Sequence, residues 1–161
     1  MKVETPALEQ FSLQAVDQIR FNGVNEELKY SVQITPQSLT NRVVVALLDQ
    51  RQQRGMAVAI YPATGEVCDV TNGGGVIGYL KNAPLNPQKP ISCELNIFRF
   101  GKNFVCNAVV GGETFLYPAF SYEENTPMAA MVGKESHNGD SQFNWNHLSI
   151  ELHELNGVIA A

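Results

Sequence analysis

The sequence predicts an all-β protein, an antiparallel jelly-roll-like sandwich with at most one or two short helices. Three observations lead there. Short apolar or alternating runs recur from Leu28 to Leu152, separated by turn residues. Several runs alternate apolar and polar side chains, as half-buried strands do. No interior linker, low-complexity stretch or internal repeat interrupts them, so residues 1–161 read as one sandwich domain.

Residues 5–20 admit two readings. Thr5-Pro6 could cap and open a helix through Leu8, Phe11, Leu13 and Val16, whereas residues 16–21 also fit a strand. Leu28, Tyr30, Val32 and Ile34 alternate with Lys29, Ser31, Gln33 and Thr35, which predicts a half-buried strand. Residues 43–48 and 56–61 are continuous apolar runs, the pattern of strands buried on both sides, and polar residues 49–55 read as their hairpin connection. Strands are expected at 66–71, after the turn Pro62-Ala63-Thr64-Gly65, and at 76–80, after three glycines.

Pro84, Pro87 and Pro90 predict an extended loop, because proline fixes φ and removes a ladder donor. Residues 92–100 and 103–110 flank Gly101-Lys102 as a hairpin, and 114–117 and 128–132 follow as short strands. Residues 133–140 read as a polar loop with Asn138-Gly139 as turn signal. In the last strand Leu148, Ile150 and Leu152 should face the core, with His147, Ser149, Glu151 and His153 on the polar face.

Composition excludes several functions. Hydrophobic residues make up 44% of the chain, which argues for a packed core rather than disorder. Sixteen acidic against eleven basic residues leave a formal charge of −5, without the basic face that nucleic acid requires. No apolar run could span a bilayer as a helix, and the first ten residues do not read as a secretory signal. Cys68, Cys93 and Cys106 lie in apolar β runs without CxxC spacing and are expected as reduced, buried thiols. With no Asn-x-Ser/Thr sequon, this favours a cytoplasmic setting.

The chemical motifs read as structure. Gly73-x-Gly75-x-x-Gly78 has dinucleotide spacing, but that chemistry needs a helix N-terminus directly after the glycines. Here Val76-Ile77-Gly78-Tyr79-Leu80 is β-like and prolines follow. His147, Glu151 and His153 share a strand face by period two, which reads as a solvated face rather than a metal site. Glu66, Asp69, Glu113, Glu123 and Glu124 are the acids a glycosidase would need, yet nothing in the sequence pairs or buries two of them. No Gly-x-Ser-x-Gly elbow is present, and the thiols lie where a thiolate is disfavoured. No catalytic residue, metal ligand or cofactor is therefore assigned.

Trp145, the single tryptophan, lies in Gln142-Phe143-Asn144-Trp145-Asn146. Amide-flanked aromatics suit sugar stacking or a peptide pocket. Strict alternation would place Trp145 with His147 on the polar face, so the favoured core position requires a bulge near Asn146.

Residues 74–121 resemble a SPRY (B30.2-like) domain, a concanavalin-like β-sandwich. Gly74-Gly75-Val76-Ile77-Gly78 is similar to the strand-opening phrase of that family, residues 98–103 occupy its hairpin position, and Leu116-Tyr117-Pro118-Ala119-Phe120-Ser121 is similar to its Leu-Tyr-Pro-Ala phrase. Gly75 replaces an Asp, the Asn-Gly turn is absent and residues 82–90 look inserted. The resemblance implies protein or peptide binding through loops, with no binding residue carried over by motif. The wider concanavalin-like class implies a second reading, binding or cleavage of an oligosaccharide. With only 17% charged residues, a self-assembling homo-oligomeric subunit is the third. The expected contacts are aromatic and amide side chains near loops: Tyr61, Asn72, Tyr79, Tyr122 and Trp145.

Overall fold

The computed structural model describes residues 11–21, 23–36, 38–49, 54–71, 75–118, 127–135 and 144–155. These contain eleven strands and no helix: β1 (Phe11–Ile19), β2 (Asn25–Thr35), β3 (Val43–Asp49), β4 (Arg54–Tyr61), β5 (Glu66–Asp69), β6 (Gly75–Tyr79), β7 (Ile91–Phe100), β8 (Asn103–Val110), β9 (Glu113–Tyr117), β10 (Met128–Glu135) and β11 (Asn144–Glu154). All described pairings are antiparallel. A six-stranded sheet runs β1-β10-β3-β4-β5-β6, and a five-stranded sheet runs β11-β2-β7-β8-β9. The chain crosses between sheets after β1, β2, β6, β9 and β10, the exchange expected of a sandwich.

Local chemistry explains the elements. The alternation in β2 buries Leu28, Tyr30, Val32 and Ile34 and leaves the residues between them half-buried. In β3 every residue is buried, as its unbroken apolar run requires. Residues 11–19 form a strand rather than a helix, because Phe11–Ile19 pairs along β10 with a bulge between Ala15 and Asp17. Gly133 to Glu135, read from sequence as loop, extend β10. The polar side chains of Lys134 and Glu135 are accommodated at the sheet's end, where the Arg42 backbone N–H donates to Glu135 Oε1 at 2.6 Å. A two-residue turn, Gly111-Gly112, joins β8 to β9 with both φ values positive (56° and 83°), the region glycine enters at low cost. Gly75–Tyr79 is strand, so the glycine spacing there opens no helix.

Two cores result. Between the sheets lie Leu28, Tyr30 and Ile34 of β2, Val45 and Leu47 of β3, Val58 and Ile60 of β4, Leu95 and Ile97 of β7 and Met128 of β10. A second cluster, including Val44, Ala46, Ala57, Ala59, Cys68 and Met131, is buried on the opposite face of the six-stranded sheet. The central strands of that sheet are thus buried on both sides. Cys68, Cys93 and Cys106 are free and buried, and burial first of all pushes each thiol from 9.0 up to about 12.

Polar groups bolt the layers together. Tyr30 donates its hydroxyl to the Met131 carbonyl at 3.0 Å. The Tyr117 hydroxyl of the five-stranded sheet donates to Asp69 Oδ1 and accepts the Ala57 N–H at 3.0 Å. Thr71 donates to the same Asp69 oxygen through its Oγ1 at 2.6 Å and its N–H at 2.9 Å. Burial, followed by the Asp69 charge, holds the Tyr117 hydroxyl far above the usual phenol range. The network is satisfied by its own members, and its members sit in the core rather than in an open cleft.

Candidate functional site

The outer face of the five-stranded sheet is where polar side chains gather. Register sets its layout. Asn146, Gln33 and Ser92 form one cross-strand row. Ser149, Ser31, Glu94, Val109 and Thr114 form the next. Glu151, Lys29, Asn96, Asn107 and Leu116 form a third. Since every second residue of a strand faces the same way, the apolar residues of β2, β7 and β8 build the core and the intervening ones build this surface.

A groove of about 310 Å³ lies across the first two rows. Ser31 and Gln33 of β2, Ser92 and Glu94 of β7, Val109 of β8 and Gly112 of the following turn line it. His147 closes it from β11. A bulge places His147 there. Asn146 pairs with Gln33 but Ser149 pairs with Ser31, so His147 and Leu148 together oppose Val32. The φ of His147 is 51°, a left-handed conformation uncommon outside glycine and expected at an irregularity of this kind.

Beside the groove, Lys29 Nζ lies 3.9 Å from Glu94 Oε1, a half-exposed pair that orients more than it stabilises. Asn96 is 5% exposed and donates its Nδ2 to Asn107 Oδ1 at 2.9 Å. Its Oδ1 is buried without a hydrogen-bond partner. The groove therefore offers hydroxyl, amide, imidazole and carboxylate groups over a floor of backbone and a short valine. Such a wall can exchange several hydrogen bonds with a polyhydroxylated ligand. Among the described lining residues Glu94 is the one carboxylate.

The residues expected from sequence scatter. Tyr61 is half-buried on the six-stranded sheet, its ring 4.5 Å from the Arg42 guanidinium carbon. Tyr79 sits on edge strand β6, 58% exposed. Trp145 pairs with Ile34 and so lies on the inward side, as the bulge at Asn146 allows, but at the sheet margin it remains 36% exposed. None of these three lines the groove. Asn72 and Tyr122 lie outside the described residues. Of the proposed polar face in β11, Glu151 and His153 touch at 3.0 Å, while His147 joins the groove. Among the described residues no cluster of three or more His, Cys, Asp or Glu could hold a metal. Ser31, Gln33, Ser92 and Glu94 were legible as the polar half of alternating strands. Their convergence was not, because β2 and β7 are separated by four strands in sequence.

No protein-family model matches the sequence, and no curated protein matches it. Among solved structures the fold is similar to that of a carbohydrate-binding module, CBM66 from Bacillus subtilis. The TM-score is 0.50 at 10% identity, over 92% of this chain and 98% of that one. A looser likeness, with a TM-score of 0.42 at 11% identity, covers 82% of this chain and 28% of a xylan β-1,4-xylosidase from Bacillus halodurans C-125. Another, with a TM-score of 0.36 at 14% identity, covers 87% of this chain and all of sheep galectin-11. At these identities the likeness is one of fold: an all-β, two-sheet antiparallel sandwich.

Proposed function

We propose that this protein binds carbohydrate, without turnover, on the outer face of its five-stranded sheet. One observation carries the reading: a groove of about 310 Å³ whose walls are Ser31, Gln33, Ser92, Glu94 and His147. Neutral hydroxyls and amides, with one carboxylate, match the dense donors and acceptors of a sugar, and the volume falls within the usual range of small-ligand sites. The fold neighbour CBM66 is itself a carbohydrate-binding module, which supports the same class.

A protein or peptide ligand is the second reading, and a specific feature favours it. Leu116 and Val105 stand 82% and 54% exposed on β9 and β8 of the same sheet, an apolar pair that a protein surface could cover. Of the SPRY-like phrases, residues 75–78 lie in β6, 98–103 span the turn between β7 and β8, and 116–117 lie in β9.

A glycan array followed by calorimetry on the responding sugars decides between them. Binding is expected, with Glu94→Ala weakening it about tenfold or more, since a hydrogen bond to a charged group contributes roughly 1.5–3 kcal/mol, and Gln33→Ala weakening it by about threefold to tenfold, since a neutral one contributes roughly 0.5–1.5 kcal/mol. Array silence, or binding untouched by both variants but lost in Leu116→Ser, would reject the carbohydrate site.

A further inference from the structure

We infer that the groove continues around the end of the five-stranded sheet into a second subsite, so that the ligand is a linear oligosaccharide lying across both. The inference rests on the carbohydrate reading above and extends it from a sugar to a chain.

A second cavity, of about 450 Å³, opens between residues 81–90 and the Gly111-Gly112 turn. Leu85, Pro90, Asn82 and Glu113 line it, and Ser92 and Gly112 belong to the walls of both cavities. Each cavity alone is within the range of a small-ligand site, so the two side by side exceed what a single ring needs. Their chemistry also fits. Leu85 and Pro90 supply an apolar platform for the C–H face of a pyranose ring. Asn82, Ser92 and Glu113 supply polar groups for its hydroxyl edge.

The wall is held in place before any ligand arrives. The Lys81 N–H donates to Glu113 Oε2 at 3.0 Å, tying the loop to the start of β9. The Leu85 N–H donates to the Pro62 carbonyl at 2.9 Å, and the Gln88 N–H to Asn86 Oδ1 at 2.8 Å. A preorganised wall loses little entropy on binding. Gly112 lines both cavities, and a Cβ built on it meets no atom within 4 Å, so a side chain can be added at the junction without a clash.

The test is calorimetry with graded gluco-, manno-, galacto- and xylo-oligosaccharides, from mono- to hexasaccharide. In the responding series affinity should rise about tenfold or more between the disaccharide and the longest chain. Asn82→Trp, at an exposed position, should fill the second cavity and erase that rise while leaving disaccharide binding unchanged. Gly112→Asn, a residue that tolerates positive φ, should weaken the long chains by blocking the junction. Matching thermal unfolding curves would certify both variants as folded. Affinity independent of length, or long-chain binding unchanged in both variants, overturns the second subsite while the first stands. No response in any series overturns both. Capture of a peptide from an array, lost in Asn82→Trp, would also overturn it by giving the cavity to a protein ligand.

Discussion

The two sheets solve different problems. The six-stranded sheet is buried on both faces at its centre, in β3, β4 and β10, with Val43 to Leu48 all fully inaccessible. Its sequence is correspondingly apolar: valine, alanine and leucine from 43 to 48, and methionine, alanine, valine and isoleucine from 56 to 60. The five-stranded sheet buries one face and spends the other on Ser31, Gln33, Ser92, Glu94 and Asn107. Side chains on the first sheet answer to packing on both sides. Side chains on the second answer to packing on one side and leave the other free to vary. A binding groove belongs on the sheet whose outer residues can change without unfolding the protein.

The strongest way to break this contrast is to place a charge on the outer face of the buried sheet. Val44→Asp should cost more than about 4 kcal/mol and leave little folded protein, because a carboxylate would be desolvated without a partner. Wild-type-like denaturant midpoints in that variant would mean the outer face is open to water.

Alkaline titration comes next. Cys93 and Cys106 lie between the sheets, where burial raises their thiols to about 12 from an ordinary 9.0. The unfolded chain releases these protons first, so their contribution is complete below about pH 9 and is lost as pH rises towards 12. In reducing buffer stability should fall by up to about 1.4 kcal/mol per pH unit for each thiol. Cys106→Ala should flatten the slope. A stability curve level from pH 9 to 11 would place the thiols in contact with solvent.

Tyr117→Phe tests the bolt between the sheets. It leaves the Ala57 N–H without its acceptor and should cost about 1–3 kcal/mol by equilibrium denaturation. An unchanged midpoint would mean that the network contributes nothing net.

The smallest effects sharpen the contrast within one strand. Ile150 packs against the core while Glu151 is exposed. Ile150→Ala should cost about 2 kcal/mol, the low end for a residue only partly buried. Glu151→Ala and Gln33→Lys should stay within about 0.5 kcal/mol. Equal losses at 150 and 151 would put the register off by one residue.

Much of this architecture was present in residue order. The alternation of β2 and of residues 148–153 named the faces correctly, and the continuous runs of β3 and β4 named the doubly buried strands. A core position for Trp145 required a bulge or bend near Asn146, and the β11–β2 ladder contains a register shift between Asn146 and Ser149. Where local signals balanced, the sequence could not choose. Residues 11–19 suited helix or strand, and pairing with β10 decided for strand. Lys134 and Glu135 looked like loop because they are polar, until Glu135 found Arg42.

The candidate site was less legible. Loop aromatics drew the eye, yet Tyr61 stacks under Arg42 and Tyr79 lies on a far edge. The groove instead unites ordinary serines, a glutamine and a glutamate from β2 and β7 with a histidine from β11. Alternation is a local property, set by the two-residue period of an extended chain, so the sequence by itself determined which side chains turn outward. Which outward side chains become neighbours depends on strand order and register. Those follow from the long-range burial of the opposite faces, and only the tertiary structure decided them.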